Sequence, residues 1–395
     1  MVKKIGILTL PPIYNYGNIL QIYALQYVIN DMGYEAVLIN RNPQRNRLSY
    51  IKNRISVFVA DLLKLRKGYF YSDRNVKLVS LKTRKFIIEN IKQTQLCKSN
   101  KELYEITKDF HAIIVGSDQV WRVSNDDDIC IYFLDPKIFD RKILRISYAA
   151  SFGVDRWLGN SVQTKKCINL LKNFAGISVR EKSGVDICKK MFGIDAIQVI
   201  DPTLLLDCSV YKNILSGISV DKRISRKDIM CYILDNSSMK KLIIDEISRI
   251  LQCEYYYFLP KQKSSLYDNV KMKNCMYPSV EEWIYSFYSS PFIITDSFHG
   301  CVFSIIFNKS FWVIANPQRG LSRITSLLTM FGLQDRLISS PKEIVLEKIR
   351  KEINWHKVNR IKEQLREKGR EYLSQRINIR GEKRCVSKFG RSENI

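Results

Sequence analysis

The sequence has few of the residues that most often bind metals or form disulfide frameworks. Histidine occurs three times in 395 residues, and the ten cysteines stand singly, without a CxxC pair. Zinc sites and disulfide frameworks place cysteines at short, regular spacings, so this pattern predicts reduced thiols in a cytoplasmic protein. No GxGxxG follows the first predicted strand, which argues against a nicotinamide or flavin. We therefore expect no cofactor, and no ligand cluster predicts a metal.

Long apolar runs are also missing. No stretch approaches the roughly 18–20 apolar residues of a membrane span. The apolar run of residues 1–10 is too short for a signal peptide and predicts a first buried strand. Apolar residues make up 46% of the chain, as in globular proteins. These features predict a soluble or peripheral protein that faces the cytoplasm.

Negative charge is scarce, and the net charge is +25. Residues 41–108 contain 17 Lys and Arg against 5 Asp and Glu, and residues 348–395 contain 15 against 6. Such a field favours anionic partners. We expect nucleic acid to be an unlikely one, because no recognisable reader motif accompanies the basic residues. Residues 51–66 fit a basic amphipathic helix, which either rests on a membrane interface or packs on its own core.

Regular alternation of apolar strands and helical spacing runs through most of the remaining chain. The pattern predicts an α/β fold of two Rossmann-like parallel-sheet domains that face a cleft, of the glycosyltransferase-B type, with a C-terminal helix returning to the first domain. We place the first domain at residues 1–207, with 41–108 as a basic insert, and the second at 208–345. Residues 346–380 are predicted to be a helical segment, and 381–395 a disordered tail.

Polar turns follow several predicted strands, where open α/β sheets bind their ligands. The turn at 295–297 leads into a helix that carries His299, and residues 15–18 precede the first helix. A histidine at such a turn can move protons near neutral pH, and a helix N-terminus attracts anions. The alternatives are a structural histidine at a helix cap and a capping loop without a ligand.

Several short motifs together resemble the polysaccharide pyruvyl transferase family. In order along the chain they lie at residues 15–18 with 20–26, 116–121, 148–153, 178–181, 201–205, 295–300, and 322–324 with 327–333. Each motif is weak alone, but seven in the expected order are a strong signal. The basic insert and the chain after about residue 345 lie outside these motifs.

The resemblance implies transfer of the enolpyruvyl unit of phosphoenolpyruvate to two sugar hydroxyls, which forms a cyclic pyruvate ketal and releases phosphate. This chemistry needs an acid, a base, and cations for the carboxylate and phosphate. By the resemblance, His299 is the acid and Arg180 binds a carboxylate or phosphate. Further substrate-binding candidates are Asn15, Tyr16, Gly17, Asn18, Ser117, Asp118, Ser297, Arg319 and Arg323, of which Arg323 is better placed by motif than Arg319.

Structural alternatives remain open for several of these residues. Arg180 could form an ion pair with Glu181, and Arg323 could be a solvated helix residue. Asp118 and Asp201 are either bases or turn and cap residues, and for Asp201 we favour the cap. Asp296 could orient His299, but adjacency in sequence favours capping.

Two further hypotheses concern the substrates and the location. A glycosyltransferase that uses a nucleotide sugar is the alternative function, because one architecture supports many reactions. The charge suggests a third partner besides phosphoenolpyruvate and the glycan acceptor. We expect a lipid diphosphate-linked acceptor, and a basic surface that holds the protein near anionic lipid at the inner membrane face.

Overall fold

The computed structural model describes residues 2–41, 73–123, 129–216, 228–260, 272–317 and 320–389. The predicted amphipathic helix at 51–66 and the candidate Arg319 lie outside these residues. No helix in the described ranges is both long and apolar enough to cross a membrane.

The first half of the chain forms a parallel sheet with the strand order β2-β1-β3-β4-β5. Its strands are β1 (Lys4–Leu8), β2 (Glu35–Leu38), β3 (Ala112–Val115), β4 (Leu144–Ser147) and β5 (Phe174–Gly176). Its helices are α1 (Tyr16–Asp31), α2 (Asp73–Val79), α3 (Leu81–Asn90), α4 (Asn100–Thr107), α5 (Ser161–Leu171), α6 (Lys182–Phe192) and α7 (Cys208–Ile214). All four residues of β3 are buried, as expected for a central parallel strand that is covered on both faces.

Two short strands extend the first half beyond this sheet. β6 (Ser178–Val179) and β7 (Ile197–Gln198) form a parallel pair, and isolated parallel bridges from Asp118 to Ala150 and from Ala150 to Val179 link that pair to the chain beyond β3 and β4. The register between β4 and β5 shifts at Arg145 and Ile146. Beyond that shift the Ser147 hydroxyl donates to the Ser178 carbonyl and accepts from the Ser178 N–H, replacing ladder hydrogen bonds. Backbone pairing then resumes, because the Ala150 N–H donates to the Ser178 carbonyl.

The second half repeats the parallel arrangement with the strand order β12-β11-β10-β8-β9. Its strands are β8 (Ile229–Tyr232), β9 (Tyr255–Tyr257), β10 (Phe292–Thr295), β11 (Ser310–Ile314) and β12 (Leu337–Ile338). Its helices are α8 (Ser238–Leu251), α9 (Val280–Ser289), α10 (Phe298–Ile306), α11 (Leu321–Phe331) and α12 (Leu346–Arg350). α13 (Trp355–Phe389) follows them. The expected domain boundary near residue 207 stays a prediction.

The two halves share one apolar cluster, which includes Ile5 and Leu20 from the first half and Trp283 and Phe298 from the second. Tyr16 at the start of α1 reaches across to stack on Trp283, with ring centroids 5.4 Å apart. Burial of large aromatic rings is a strong driving force, so this contact stabilises the closed arrangement of the halves.

The C-terminal helix α13 returns to the first half. The Tyr372 hydroxyl donates to the Ser147 carbonyl over 3.0 Å, and the Arg366 guanidinium donates to the Leu206 carbonyl over 3.3 Å. Two parallel Rossmann-like sheets and a returning helix confirm the predicted fold class. The backbone of α13 is helical to Phe389, past residue 381, where we expected a disordered tail to begin.

Candidate active site

His299 sits where β10 passes into α10, at the surface that faces the first half. Ser297 is the N-cap of α10, and its hydroxyl accepts from the Gly300 N–H over 3.4 Å. His299 is only 7% exposed, and its Nε2 lies 3.6 Å from Oδ2 of Asp201 in the first half. This separation is an ion-pair distance but is too long for a hydrogen bond. The imidazole is thus held between the two halves rather than on an open helix cap.

Asp201 joins three polar side chains through one oxygen. Its Oδ2 accepts from Arg180 Nη1 over 2.8 Å and from the Ser117 hydroxyl over 3.2 Å, and it also faces His299. Its Oδ1 accepts from the N–H and the hydroxyl of Thr203. Burial alone would raise the pKa of Asp201, but His299 and Arg180 hold the pKa of that carboxyl well below its usual range. Asp201 therefore stays ionised at the centre of the site.

Arg180 is buried and uses only part of its guanidinium. Its Nη1 bonds Asp201, whereas its buried Nε and Nη2 donate no hydrogen bond to any described residue. Asp118 Oδ1 lies 3.6 Å from Nη2, and the Phe298 ring lies 4.3 Å from the guanidinium carbon. Burial alone would lower the pKa of Arg180, but the neighbouring carboxylates raise it, and Asp201 contributes the most among them. The Nε–Nη2 edge has the fork geometry that binds a carboxylate or phosphate with two hydrogen bonds.

Arg323 brings a second buried cation to this interface from the start of α11. It is 9% exposed, and burial followed by the charge of Arg180 lowers its pKa to about 10. The N-cap of α11 is Gly320, with φ +75°, and a Cβ there would lie 2.3 Å from the Gly153 carbonyl oxygen. Only glycine fits this close approach, which brings the loop before Arg323 against the 148–153 motif.

The loop at residues 15–18 contacts the site through its glycine. A Cβ on Gly17 would lie 2.0 Å from His299 Nδ1, so the backbone of α1 packs directly on the imidazole. Asn15 and Asn18 hold the loop itself: the Asn15 side chain accepts from the Asn18 N–H, and the Asn18 amide donates to the Leu10 carbonyl. Tyr16 is fully buried, and its hydroxyl donates to the Pro278 carbonyl.

Three more residues considered in the sequence analysis, Ser117, Asp118 and Glu181, lie near Arg180 or next to it in sequence. Ser117 contacts Asp201, and Asp118, in a left-handed conformation with φ 71°, faces Arg180 Nη2. Glu181 does not pair with Arg180 by a hydrogen bond. Its Oε1 accepts from the Ser151 hydroxyl and the Phe152 N–H, while its buried Oε2 has no hydrogen bond to a described residue.

The sequence predicted only a cap role for Asp201, and for Asp296 it did not decide between capping and orienting His299. Asp201 does cap the turn before Thr203, as favoured, but its other oxygen lies in the site. An Asp-Pro turn at a strand end predicts a cap and gives no sign of what the free oxygen faces. Asp296 does not approach His299 by any described contact; it accepts from Lys240 Nζ over 2.6 Å and from the Leu234 N–H over 2.7 Å. Across the described ranges, no three His, Cys, Asp or Glu side chains are grouped to hold a metal ion.

Comparisons with solved structures find distant similarities in overall arrangement. The UDP-GlcNAc 2-epimerase of Methanocaldococcus jannaschii is 13% identical, over 92% of this chain and 99% of that one, with a TM-score of 0.43. The enzyme of that name from Neisseria meningitidis is 11% identical, over 93% and 99%, with a TM-score of 0.43. S. aureus MnaA, solved with UDP, is 11% identical over 96% of both chains, with a TM-score of 0.46. Nothing about the activity of this chain follows from scores at this level.

The sequence itself matches a family. No curated protein matches the chain. A family model described as polysaccharide pyruvyl transferase matches residues 15–318, which is more than half of the chain. That range contains His299, Arg180 and Asp201, the three residues that meet between the halves. The protein therefore belongs to the polysaccharide pyruvyl transferase family.

Proposed function

We propose that the protein transfers the enolpyruvyl group of phosphoenolpyruvate to two hydroxyls of one sugar in a capsular or exopolysaccharide precursor. The product is a cyclic pyruvate ketal, and inorganic phosphate leaves. One observation carries the proposal: the buried Nε–Nη2 edge of Arg180 has no hydrogen-bond partner among the described residues and lies beside the Asp201–His299 contact. An anion donor would fill that edge.

The proposed reaction needs one acid that later serves as a base. His299 donates a proton to the methylene carbon of phosphoenolpyruvate, so that C2 becomes electrophilic and the first sugar hydroxyl attacks it. That hydroxyl returns its proton to the neutral imidazole. The second hydroxyl then attacks C2 while the C2–O bond to phosphate breaks, and its proton leaves with the phosphate. The balance is one methylene turned into a methyl group, two new C–O bonds and one phosphate released.

Arg180 and Arg323 supply the cationic side of the proposed site. Phosphoenolpyruvate carries a carboxylate and a phosphate, and two guanidiniums match these two groups. A bound anion would offset the cost that burial imposes on Arg323, whose pKa is lowered to about 10. Such interactions gain strength where water is excluded. We assign Arg180 and Arg323 to the donor anion and His299 to proton transfer.

The test is phosphate release from phosphoenolpyruvate with a panel of lipid-linked and aryl glycosides. We expect acceptor-dependent release that His299→Ala and Arg180→Ala each reduce at least about 100-fold. The matched control is His356→Ala, because His356 is exposed on α13. Binding of sugar nucleotides with no binding of phosphoenolpyruvate would contradict the proposal and support a glycosyltransferase instead.

We also propose that the protein works at an anionic membrane surface on a lipid diphosphate-linked acceptor. Support comes from α3, where Leu81 is 59% exposed and Ile88 is 73% exposed. The exposed Arg84 and Lys85 lie between these two residues, on the same face of the helix. Exposed apolar residues on either side of basic ones match a lipid surface that carries negative charge.

Flotation with vesicles containing phosphatidylglycerol, at low and high salt, tests the membrane proposal. We expect binding at low salt that weakens in high salt and falls several-fold in the double variant Leu81→Gln/Ile88→Gln. Leu242→Gln is the control, because Leu242 is 61% exposed on α8 in the other half. Equal binding by the double variant and the control would show that α3 is not part of the lipid-binding surface. Absence of binding at low salt would refute the membrane proposal.

A further inference from the structure

Asp201 occupies a position that its role as a turn cap does not require. A cap needs one carboxylate oxygen, and Oδ1 fulfils that role with both bonds to Thr203. The other oxygen, Oδ2, accepts hydrogen bonds from Arg180 and Ser117 and lies 3.6 Å from His299 Nε2. The Asp201 side chain is completely buried, so Oδ2 is shielded from bulk solvent. Oδ1 therefore caps the turn, whereas Oδ2 contacts the side chains of the candidate site.

The same carboxylate contacts the two residues that the proposed reaction uses for different purposes. Arg180 belongs to the first half and His299 to the second, so Asp201 fixes the anion-binding arginine relative to the acid across the interface. With Arg180 Nη1 occupied by Asp201, the guanidinium can turn only its Nε–Nη2 edge towards a ligand. An anion held at that edge is then placed at a constant distance from the imidazole.

We propose that Asp201 is the positioning residue of this site: it orients the Arg180 fork and the His299 ring without touching substrate. This inference rests on the proposed function. The carboxylate faces Nε2 of the ring, and Nδ1 on the other side lies against Gly17, where the missing Cβ leaves room for the imidazole.

Asp201→Asn separates positioning from binding. Asparagine keeps an oxygen for the Thr203 cap but replaces Oδ2 with an amide nitrogen, which removes the charge that faces His299 and the acceptor for Arg180 Nη1. We expect kcat for phosphate release to fall about 100-fold, because a mispositioned acid loses its contribution to proton transfer. The dissociation constant of phosphoenolpyruvate, measured by calorimetry without acceptor, should rise by less than about tenfold, because Arg323 remains although Arg180 loses one anchor. A purely structural role would lower kcat and donor affinity by the same factor.

The matched control is Asp207→Asn. Asp207 is also an N-cap aspartate, whose side chain accepts from the Ser209 N–H over 2.9 Å, but it lies outside the site. We expect its kcat and donor affinity to equal those of the parent. If Asp201→Asn does not fold, Asp201→Glu replaces it: the charge stays but the oxygen moves by one methylene, and kcat should fall at least tenfold, by a larger factor than donor affinity.

The outcomes distinguish this inference from the proposed function. A parent protein that neither binds phosphoenolpyruvate nor releases phosphate refutes the proposed function and the role of Asp201 with it. A parent that does both, with a folded Asp201 variant that keeps its kcat, refutes the role of Asp201 alone. Loss of donor affinity in proportion to kcat would likewise make Asp201 structural.

Discussion

Each half of the molecule buries one carboxylate against one cation where its strands end, and the two pairs differ in their surroundings. In the second half, Asp296 accepts from Lys240, the Leu234 N–H and Asn316, while Lys240 also donates to the Asp235 carbonyl. In the first half, Asp201 binds Arg180, whose Nε and Nη2 donate no hydrogen bond to a described residue.

The difference lies in how far the hydrogen-bonding capacity of each pair is used. A buried polar group without a partner costs free energy, and folded proteins seldom keep one without a reason. Asp296 and Lys240 each have further hydrogen-bond partners, whereas Arg180 keeps two buried donors unpaired among the described residues. Arg336 also keeps its buried Nε and Nη1 unpaired, so an unpaired donor alone does not mark a site. Arg180 differs from Arg336 because its unpaired edge lies beside Asp201 and His299.

The largest effect that tests this contrast is on stability, in Lys240→Met. Removing the lysine leaves Asp296 buried without its cation, which should lower the free energy of unfolding by about 3–5 kcal/mol. Phosphate release per folded molecule should stay within about threefold, because Lys240 contacts no residue of the site. Urea unfolding and the release assay measure the two quantities.

The neighbouring Lys241 provides the control for that experiment. It forms an ion pair with Asp245 over 2.9 Å, but its side chain is 65% exposed. Lys241→Met should therefore change the free energy of unfolding by less than about 0.5 kcal/mol. Loss of activity in Lys240→Met at full stability would mean that the second pair also belongs to the site.

The sequence alone predicted those features of the two halves that depend on local pattern. Buried strands read as apolar runs, so the two parallel sheets were predictable, and the motif at 295–300 placed His299 at a helix start. The register shift between β4 and β5 was not predictable, and neither were the hydrogen bonds between Ser147 and Ser178 beyond it, because they join residues that are distant in sequence.

The roles of Asp201 and Asp296 were harder to predict for the same reason. Both follow strands and both suit caps, so local sequence treats them alike. Their partners Arg180, His299 and Lys240 come from other strands and helices, and only the folded chain decides which aspartate meets the histidine. The roles of the predicted site residues stay predictions until activity is measured.

The second expected effect is a difference between the parent and Asp201→Asn in how stability depends on pH. The folded-state pKa of Asp201 is depressed, so its ionised form stabilises the folded protein. That contribution, about 2 kcal/mol, is complete above the unfolded value near 4 and is lost as pH falls towards the folded value. Urea unfolding from pH 2 to 7 should show a difference between the two proteins that is constant above about pH 5 and shrinks steadily below about pH 4. A constant difference at all pH values would contradict an ionised Asp201.

A third test compares two buried arginines. Arg323→Gln should weaken phosphoenolpyruvate binding about tenfold, or about 1.4 kcal/mol, by removing one cation from the donor. It should also raise the free energy of unfolding, because a pKa lowered to about 10 means that folding disfavours the charged form.

Arg336 is the structural counterpart in that test. Its Nη2 donates to the Lys351 and Glu352 carbonyls, and its guanidinium lies 5.1 Å from the centre of the Trp312 ring. Arg336→Gln should leave donor affinity unchanged, because Arg336 contacts no described residue of the site. Calorimetry measures this difference in donor affinity, thermal unfolding measures the stability of Arg323→Gln, and unchanged donor affinity in Arg323→Gln would make Arg323 structural too.

The smallest expected effect concerns the surface contact between the halves. Lys82 on α3 donates to Glu282 on α9, with Nζ 3.0 Å from Oε2, but the two side chains remain 47% and 29% exposed. Exposed ion pairs contribute little and are screened by salt. Lys82→Met should therefore lower the free energy of unfolding by less than about 1 kcal/mol, and should not change it near 1 M salt. Urea unfolding at both salt concentrations measures this. A larger, salt-resistant loss would mean that the rim pair holds the halves together, whereas the buried stack of Tyr16 on Trp283 is the contact we expect to do so.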